Sequence, residues 1–185
     1  MKIFKPSILE IMIFSKEGNL ELLKKIPLES LVAQFVQFSK VGWSALAESI
    51  RDTINTLRAV SAVTPPRVDA SATLSAYGIQ VGTGTNPVSI SNYQLQAQIA
   101  HGNAAGQLYH QATIISPVTI AGPDAYFTVQ RNLNNNSGGT IQIQEAGLVG
   151  LIAYNFLLSR ELTVPIDVLN TKTLVGLYTF KLTAS

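Results

Sequence analysis

The stretch VQRNLNNNSGGTIQIQEAGL, residues 129–148, decides the fold class because apolar and polar residues alternate on both sides of a turn-forming centre. Alternation with a period of two is typical of a β-strand with one buried face. We predict one strand from Phe127 to Leu133 and a second from Thr140 to Glu145. The NNNSGG segment between them is rich in Asn and Gly, which accept the positive φ angles of a tight loop. The stretch therefore predicts a β-hairpin.

Two charged residues, Arg131 and Glu145, flank the predicted turn and share the apolar face of the predicted hairpin. Residues that are diagonal to each other across a strand pair lie about 7–8 Å apart, within reach of long side chains. A charge on an apolar face must be compensated, since an unpaired buried charge costs several kcal/mol. We predict that the pair braces the two strands; an active site and a ligand clamp are the alternatives.

The tip of the predicted hairpin carries only neutral side chains. If it contacts another molecule, its amide, hydroxyl and backbone groups would meet a neighbouring subunit or a glycan. We name this segment the amide loop; its residues are Asn134, Asn135, Asn136, Ser137, Gly138 and Gly139.

The same alternation recurs through residues 71–185, with Gly, Pro or Asn at intervals of about ten residues. Tyr93, Leu95 and Ala97, for example, alternate with glutamines. Short strands at this spacing are typical of antiparallel sandwiches and barrels. We predict a mainly β protein: an antiparallel, jelly-roll-like β-sandwich of about seven or eight strands in residues 71–185, preceded by an N-terminal helical segment.

We predict that residues 1–63 form the N-terminal helical segment, which would anchor or oligomerise the chain. Residues 64–70 are predicted to form a Pro-containing linker. After Pro27, residues recur at heptad spacing, which favours a coiled coil; an amphipathic helix packed on its own domain is the alternative. Upstream, ILEIMIF is compatible with a strand or with a buried helical turn. The predicted oligomer seam consists of Val36, Trp43, Leu46, Ile50, Leu57 and Val60.

Composition argues against several function classes. The net charge is +2, without the basic cluster of a nucleic-acid-binding protein. The absence of cysteine excludes disulfides and thiolate metal sites, and the two histidines, His101 in a predicted turn and His110 on a predicted strand, are too few for a zinc site. We expect no metal, no cofactor and no nucleic acid.

A membrane span and an export signal are also not expected. The longest charge-free apolar run, Ala146 to Leu158, has 13 residues, fewer than the roughly 20 that a spanning helix needs. At the N-terminus, Pro6 and Glu10 interrupt the apolar region, and no small-residue cleavage site follows.

Catalysis is not expected either, because no nucleophile–base pair can be assembled from the sequence. Glu145 and Glu161 could serve as the two carboxylates of a glycosidase. Each lies near an arginine in the strand pattern, however, and this favours ion pairing over an acid with a raised pKa. A small carbohydrate-active enzyme is therefore a subordinate hypothesis.

Charge is scarce and unevenly distributed. Charged residues make up 13% of the chain, about half the usual quarter, and none lies between Asp69 and Asp124. The predicted outward positions carry Gln, Thr, Asn and Ser instead. A neutral surface suits close subunit packing, because buried charges would cost desolvation free energy. The composition thus indicates an assembly component.

Three segments resemble a type of structural protein from the virions of tailed bacteriophages. They are GIQVGTGTNPVSISNYQLQAQI, FTVQRNLNNNSGGTIQIQEAGL and FLLSRELTVPIDVLNTKTLVGLYTFKLT, and the resemblance covers roughly residues 77–182 of the chain. Such proteins carry a "VGTG…P…DY.L" segment, a hairpin of the form "R.F.N.SG..I.V.E.GL" and an "L..RD" segment. The chain departs from this pattern at Asn92 and at Glu161, where the family pattern has Asp.

The resemblance implies a non-enzymatic particle component that is made in the host cytoplasm and located in the virion. A capsid-associated decoration, cement or head-fibre subunit is the leading expectation, and a tail, baseplate or fibre subunit contacting a host glycan is the alternative. The implied partners are further copies of the chain, with a homotrimer preferred, and the major capsid protein or other virion proteins.

Overall fold

The computed structural model describes residues 5–27, 31–44, 46–61 and 65–183. These ranges contain eleven β-strands and one α-helix, and the paired strands are antiparallel. The elements are β1 (Lys5–Phe14), β2 (Leu20–Pro27), α1 (Ala33–Ser44), β3 (Glu48–Arg51), β4 (Leu57–Val60), β5 (Gly78–Gly82), β6 (Tyr109–Ile115), β7 (Thr119–Ala121), β8 (Asp124–Asn134), β9 (Ile141–Leu151), β10 (Asn155–Val168) and β11 (Thr173–Thr183).

Two sheets make up the sandwich. Sheet A has six strands in the order β2-β1-β11-β8-β6, with β7 also paired to β8, and sheet B has three in the order β10-β9-β5. Leu133 and Tyr178 of sheet A pack in one buried cluster with Ile79 and Leu148 of sheet B. The prediction of a mainly β, antiparallel sandwich is confirmed, and β5 to β11 give the expected seven strands after residue 71.

The N-terminal helical segment predicted for residues 1–63 is shown only in part, because α1 has only 12 residues. Two strands precede it. Leu9, Ile11 and Ile13 alternate along β1 and are buried where that strand pairs with β11. The predicted linker, of which residues 65–70 lie in the described ranges, therefore does not separate the N-terminal segment from the sandwich, since β1 and β2 belong to sheet A.

A hairpin, β3–β4, replaces the second half of the predicted helix. Asp52 Oδ1 accepts hydrogen bonds from the backbone N–H groups of Ile54 at 3.1 Å and Thr56 at 2.8 Å. Its Oδ2 accepts from Arg58 Nε at 2.7 Å, and Asn55 adopts a positive φ of 67°. Asp and Asn stabilise turns in this way, so the local turn chemistry overrides the helical spacing.

The six residues of the predicted oligomer seam fall on different elements. Val36 and Trp43 are exposed on α1, Leu46 and Leu57 are exposed outside it, and Ile50 and Val60 are buried in the β3–β4 pair. Because the helix ends at Ser44, these residues form no continuous stripe, and the coiled-coil prediction is wrong. The homotrimer stays a prediction.

Candidate functional site

The amide loop is a connection between the two sheets, not the turn of a hairpin. The strand before it, β8, pairs with β11 and β6 in sheet A, whereas the strand after it, β9, pairs with β10 and β5 in sheet B. The hairpin prediction was therefore wrong in pairing, although both strands exist. Alternation predicts a strand but does not say which strand it pairs with.

Within the amide loop, Asn135 is fully buried and holds the connection in place. Its Nδ2 donates to the backbone oxygens of Gly139 at 2.8 Å and Val168 at 2.7 Å. Its Oδ1 accepts from Ser137 Oγ at 2.7 Å. Asn135 is thus unavailable for an external contact, while Asn136, Gly138 and Gly139 are exposed, and a contact role for them stays a prediction.

Arg131 and Glu145 do not pair, because they lie on different faces of different sheets. Arg131 lies on the inner face of sheet A, between Val129 and Leu133 of the core cluster. On β9, Ile143 and Ala146 both face that core, although they are three residues apart, so the inward and outward positions exchange between them. At the same place, the register of β10 against β9 is irregular. Glu145 consequently faces the outer side of sheet B. The predicted pair is wrong, although both side chains are 0% exposed.

Arg131 crosses the sandwich and donates to backbone carbonyl oxygens. Its Nε donates to Gln111 O at 2.9 Å, and its Nη1 donates to Tyr77 O at 2.9 Å and Ile79 O at 3.2 Å. Its Nη2 donates to Ser71 O at 3.4 Å and to Leu74 O. Burial lowers the pKa of Arg131 to about 10. The guanidinium joins sheet A to β5 and to the segment before it.

Glu145 forms its ion pair with Arg160 of β10, at 2.7 Å between Oε2 and Nε. Three backbone N–H groups also donate to its carboxylate: Gly84 at 3.2 Å, Gln96 at 3.1 Å and Ala97 at 2.7 Å. In a regular strand at residues 93–99, the N–H groups of Gln96 and Ala97 would be available for hydrogen bonds to a neighbouring strand, but here both donate to Glu145. That predicted strand is accordingly reduced to a single bridge at Gln98.

Two glycines make room for this carboxylate. A Cβ atom on Gly82 or on Gly84 would lie 2.5 Å from Glu145 Oε1, a separation that side chains essentially never adopt. The glycines of the VGTG motif therefore permit a close approach between backbone and carboxylate.

Arg160 completes the network and was missed as the partner in the sequence analysis. Its Nη1 donates to Asn92 Oδ1 at 3.2 Å and to Pro87 O at 3.5 Å, and its Nη2 donates to Asn86 O at 3.1 Å. Arg160 lies in the apolar run before Leu162, and a buried charge requires a partner. Its position in the sequence could therefore have identified Arg160 as the partner of a buried carboxylate. The three segments quoted for the phage resemblance meet at this ion pair.

The arrangement is suited to bracing and offers no reactive group. Glu145 and Arg160 are 0% and 1% exposed, so a substrate has no access to either. Glu145 forms an ion pair, as expected, but with Arg160 instead of the predicted Arg131. Glu161 is also buried, at 5% exposure.

His110 lies on β6, as predicted, and is fully buried. Its Nδ1 is 2.9 Å from Leu108 O, and its buried Nε2 has no hydrogen-bond partner in the described part of the chain. Burial, together with the positive charge of Arg131, lowers the pKa of His110 to about 4. His101 Nδ1 accepts from the His110 backbone N–H at 3.1 Å. Residues 5–27, 31–44, 46–61 and 65–183 contain no cluster of three or more potential metal ligands.

Comparison of the chain with protein-family models, with curated proteins and with solved structures finds no match in any of the three. No helix in the described ranges is long and apolar enough to cross a membrane. The resemblance to virion proteins of tailed phages therefore stays a prediction.

Proposed function

We propose that the chain is a non-enzymatic structural subunit of a tailed-bacteriophage virion, namely a decoration, cement or head-fibre subunit on the capsid. The proposal rests on the phage-like segments, on the absence of an accessible reactive group at the buried ion pair, and above all on one exposed edge of sheet A. Further copies of the chain and other virion proteins would be its partners, and the virion its location.

The observation that carries the proposal is the apolar edge formed by β6, β7 and the turn between them. β11 occupies one side of β8 along its whole length, so β6 and β7 both lie on the other side. The apolar edge consists of Ile114, Ile115, Val118 and Ile120, with exposed fractions of 61%, 42%, 66% and 79%. An exposed apolar strand edge readily pairs with another chain.

The opposite edge of sheet A carries the usual protection against such pairing. β2 is an edge strand with two exposed lysines, Lys24 and Lys25, and it ends at Pro27. Charged side chains and proline discourage strand addition. On the β6–β7 side, Thr73 N–H and Ala70 O bond to the backbone of His110 and Thr113, so the open part of this edge begins at Ile114. The contrast between the protected β2 edge and this open part favours assembly through a specific contact over nonspecific association.

Substitution at the apolar edge tests the assembly step. We expect Ile114→Lys and Ile120→Lys to lower the molecular mass measured by sedimentation equilibrium toward that of one chain. Val164→Lys is the matched control, because Val164 is 62% exposed on β10, outside this edge. A wild-type chain that sediments as a monomer, or variants that assemble like wild type, would contradict the role of the edge.

Location in the particle tests the rest. Cryo-electron microscopy of intact particles with antibody labelling should place the chain on the head in copies on the order of hundreds for a decoration subunit. Roughly three, six or twelve copies at a vertex or tail would instead favour the tail or fibre alternative. Absence of the chain from purified particles would refute the virion proposal.

A further inference from the structure

We propose that the chain binds a neutral saccharide in a groove on the outer side of sheet B. The glutamine groove is lined by Gln80, Gln94, Gln96, Gln98 and Asn155 and has a volume of about 420 Å³. Small-molecule sites typically occupy roughly 300–1,000 Å³. The inference concerns different residues from the amide loop and the apolar edge, and it does not depend on the chain being a virion subunit.

Three parts of the fold build the groove. Gln80 lies on β5, and the other glutamines lie on the segment that the Glu145 carboxylate holds against sheet B. The β3–β4 turn forms a wall, and its Thr53 N–H donates to Asn155 O at 2.9 Å. The walls of the groove are therefore held in place by hydrogen bonds, which favours a preformed site.

Three of the four glutamine side chains are held in fixed orientations. Gln80 Nε2 and Gln98 Nε2 both donate to Ser75 O, at 2.8 Å and 2.7 Å. Gln96 Oε1 accepts from the backbone N–H groups of Thr85 at 2.8 Å and Asn86 at 2.7 Å. Each amide has a donor end and an acceptor end. The groove is thus left with carbonyl acceptors on two glutamines and an NH₂ donor on the third.

Asn155 supplies an acceptor that requires a donor. Its Oδ1 is buried at the groove and has no hydrogen-bond partner among the residues that the structure describes. Leaving a buried polar atom unpaired costs about 1–3 kcal/mol. Because this oxygen is shielded from solvent, the Asn155 side chain would turn toward the ligand, and a hydroxyl that then donates to Oδ1 would recover that cost.

The chemistry of the lining selects the ligand class. No described residue around the groove is charged, so an anion or a cation would lose its hydration without gaining a counter-charge. A hydrocarbon would leave the amides unpaired. Sugar hydroxyls both donate and accept, which matches a lining of oriented donors and acceptors.

An aromatic ring extends the site at one end. A smaller cavity of about 160 Å³ shares Gln94 and Gln96 with the groove and reaches Tyr93. An aromatic ring with a polar tip offers an apolar face to the C–H surface of a sugar and a hydroxyl to its rim. The one charged residue in the lining, Arg160, is already paired with Glu145. Arg51 Cζ lies over the Tyr93 ring, 6.0 Å from its centroid, so a sugar would pack on the other face of the ring. The geometry thus fits an oligosaccharide of more than one unit.

Isothermal titration calorimetry of the full chain tests the proposal with defined probes: maltohexaose, cellohexaose, mannopentaose and chitopentaose as neutral oligosaccharides, and polysialic acid as an anionic one. We expect at least one neutral probe to bind at one site per chain, and polysialic acid not to bind. Gln94→Ala should weaken that binding about tenfold, and Gln94→Trp, which blocks the groove, should abolish it.

Gln94 is the residue to change because it makes no hydrogen bond within the described ranges, so its loss leaves the fold intact, as an unchanged thermal midpoint would verify. Gln144→Ala on β9 is the matched control and should bind like wild type, since Gln144 contacts Gln142 outside the groove. Failure of all four neutral probes to bind, binding that survives Gln94→Trp, or preferential binding of polysialic acid would each overturn the proposal.

Discussion

Arg131 and Arg160 are both at most 1% exposed, yet the protein compensates them in opposite ways. Arg160 is paired with a carboxylate, which three backbone N–H groups also contact. Arg131 has no carboxylate partner in the described part of the chain and donates instead to five backbone carbonyl oxygens. A buried guanidinium therefore needs all its donors occupied, but the acceptors can be charged or neutral.

The two solutions have different electrostatic consequences. The Arg160 site is neutral as a whole, because Glu145 cancels the charge. The Arg131 site keeps a net positive charge inside the sandwich, spread over carbonyl dipoles. That charge contributes to the lowered pKa of His110. The comparison predicts that the two arginines respond differently to loss of Glu145 and to pH.

The largest effect should follow removal of the carboxylate. Glu145→Ala leaves Arg160 buried without its counter-charge, which typically costs 3–5 kcal/mol, and leaves three N–H groups without an acceptor. We expect the free energy of unfolding, measured by urea titration with circular dichroism, to fall by about 5 kcal/mol or more. A loss of that size would unfold a domain of ordinary stability.

A double variant separates the ion pair from the backbone contacts. Arg160→Met in the Glu145→Ala background removes the stranded charge, so it should recover part of the lost free energy of unfolding. Arg131→Met in the same background should recover none of it. An unchanged urea midpoint in Glu145→Ala would contradict the bracing role of Glu145.

The second effect concerns Arg131 itself. Arg131→Met leaves its carbonyl acceptors without a donor at the contact between the two sheets, and we expect the free energy of unfolding to fall by about 4 kcal/mol. A double-mutant cycle with Glu145→Gln should be additive within about 0.5 kcal/mol, because the two residues share no partner. The cycle of Arg160→Met with Glu145→Gln should instead show coupling of about 1.5–3 kcal/mol. Coupling of that size between Arg131 and Glu145 would contradict their separation in the structure and support the pair predicted from the sequence.

Sequence periodicity was sufficient for the sandwich but not for its pairing. Strands at residues 127–133 and 141–145 were predictable, since alternation is a local property. Their assignment to different sheets was not, because Asn135 bonds to Val168, more than thirty positions away in the chain. Burial of both charges was predictable, because both occupy apolar positions of the local alternation. Their partners were not, because the face on which Glu145 lies depends on a register irregularity in β10.

The N-terminal error has a different origin. Heptad spacing in residues 36–60 arises from three separate elements, α1, β3 and β4, and a short turn at Asp52 divides β3 from β4. Such spacing is a weak signal over so few turns, and tertiary packing overrides it. The edge of sheet A and the glutamine groove could not be predicted, because both depend on which segments become neighbours in space.

The smallest of the three effects is a pH dependence that marks the uncompensated charge at Arg131. The pKa of His110 is lowered from 6.5 to about 4, so the unfolded chain binds the proton more readily than the folded one. Stability is thus fully present above pH 6.5 and is lost as the pH falls toward 4, by about 3 kcal/mol at 1.36 kcal/mol per pKa unit. The buried carboxylate of Asp52, whose ordinary pKa is 3.8, loses its contribution only below this window.

Urea midpoints at pH 7, 5.5 and 4 should therefore decline in the wild-type chain and stay nearly level in His110→Leu. In Arg131→Met the decline should be shallower than in the wild type, because one of the two causes of the lowered pKa is gone, while desolvation remains. Arg160→Met in the Glu145→Gln background should leave the slope between pH 7 and 4 unchanged, since this double variant removes both charges of the Arg160 site, and neither of them acts on His110. Equal slopes in Arg131→Met and the wild type would show that burial alone lowers the pKa of His110. The Arg131 charge would then have no more effect on His110 than the charge of Arg160, which is paired with Glu145.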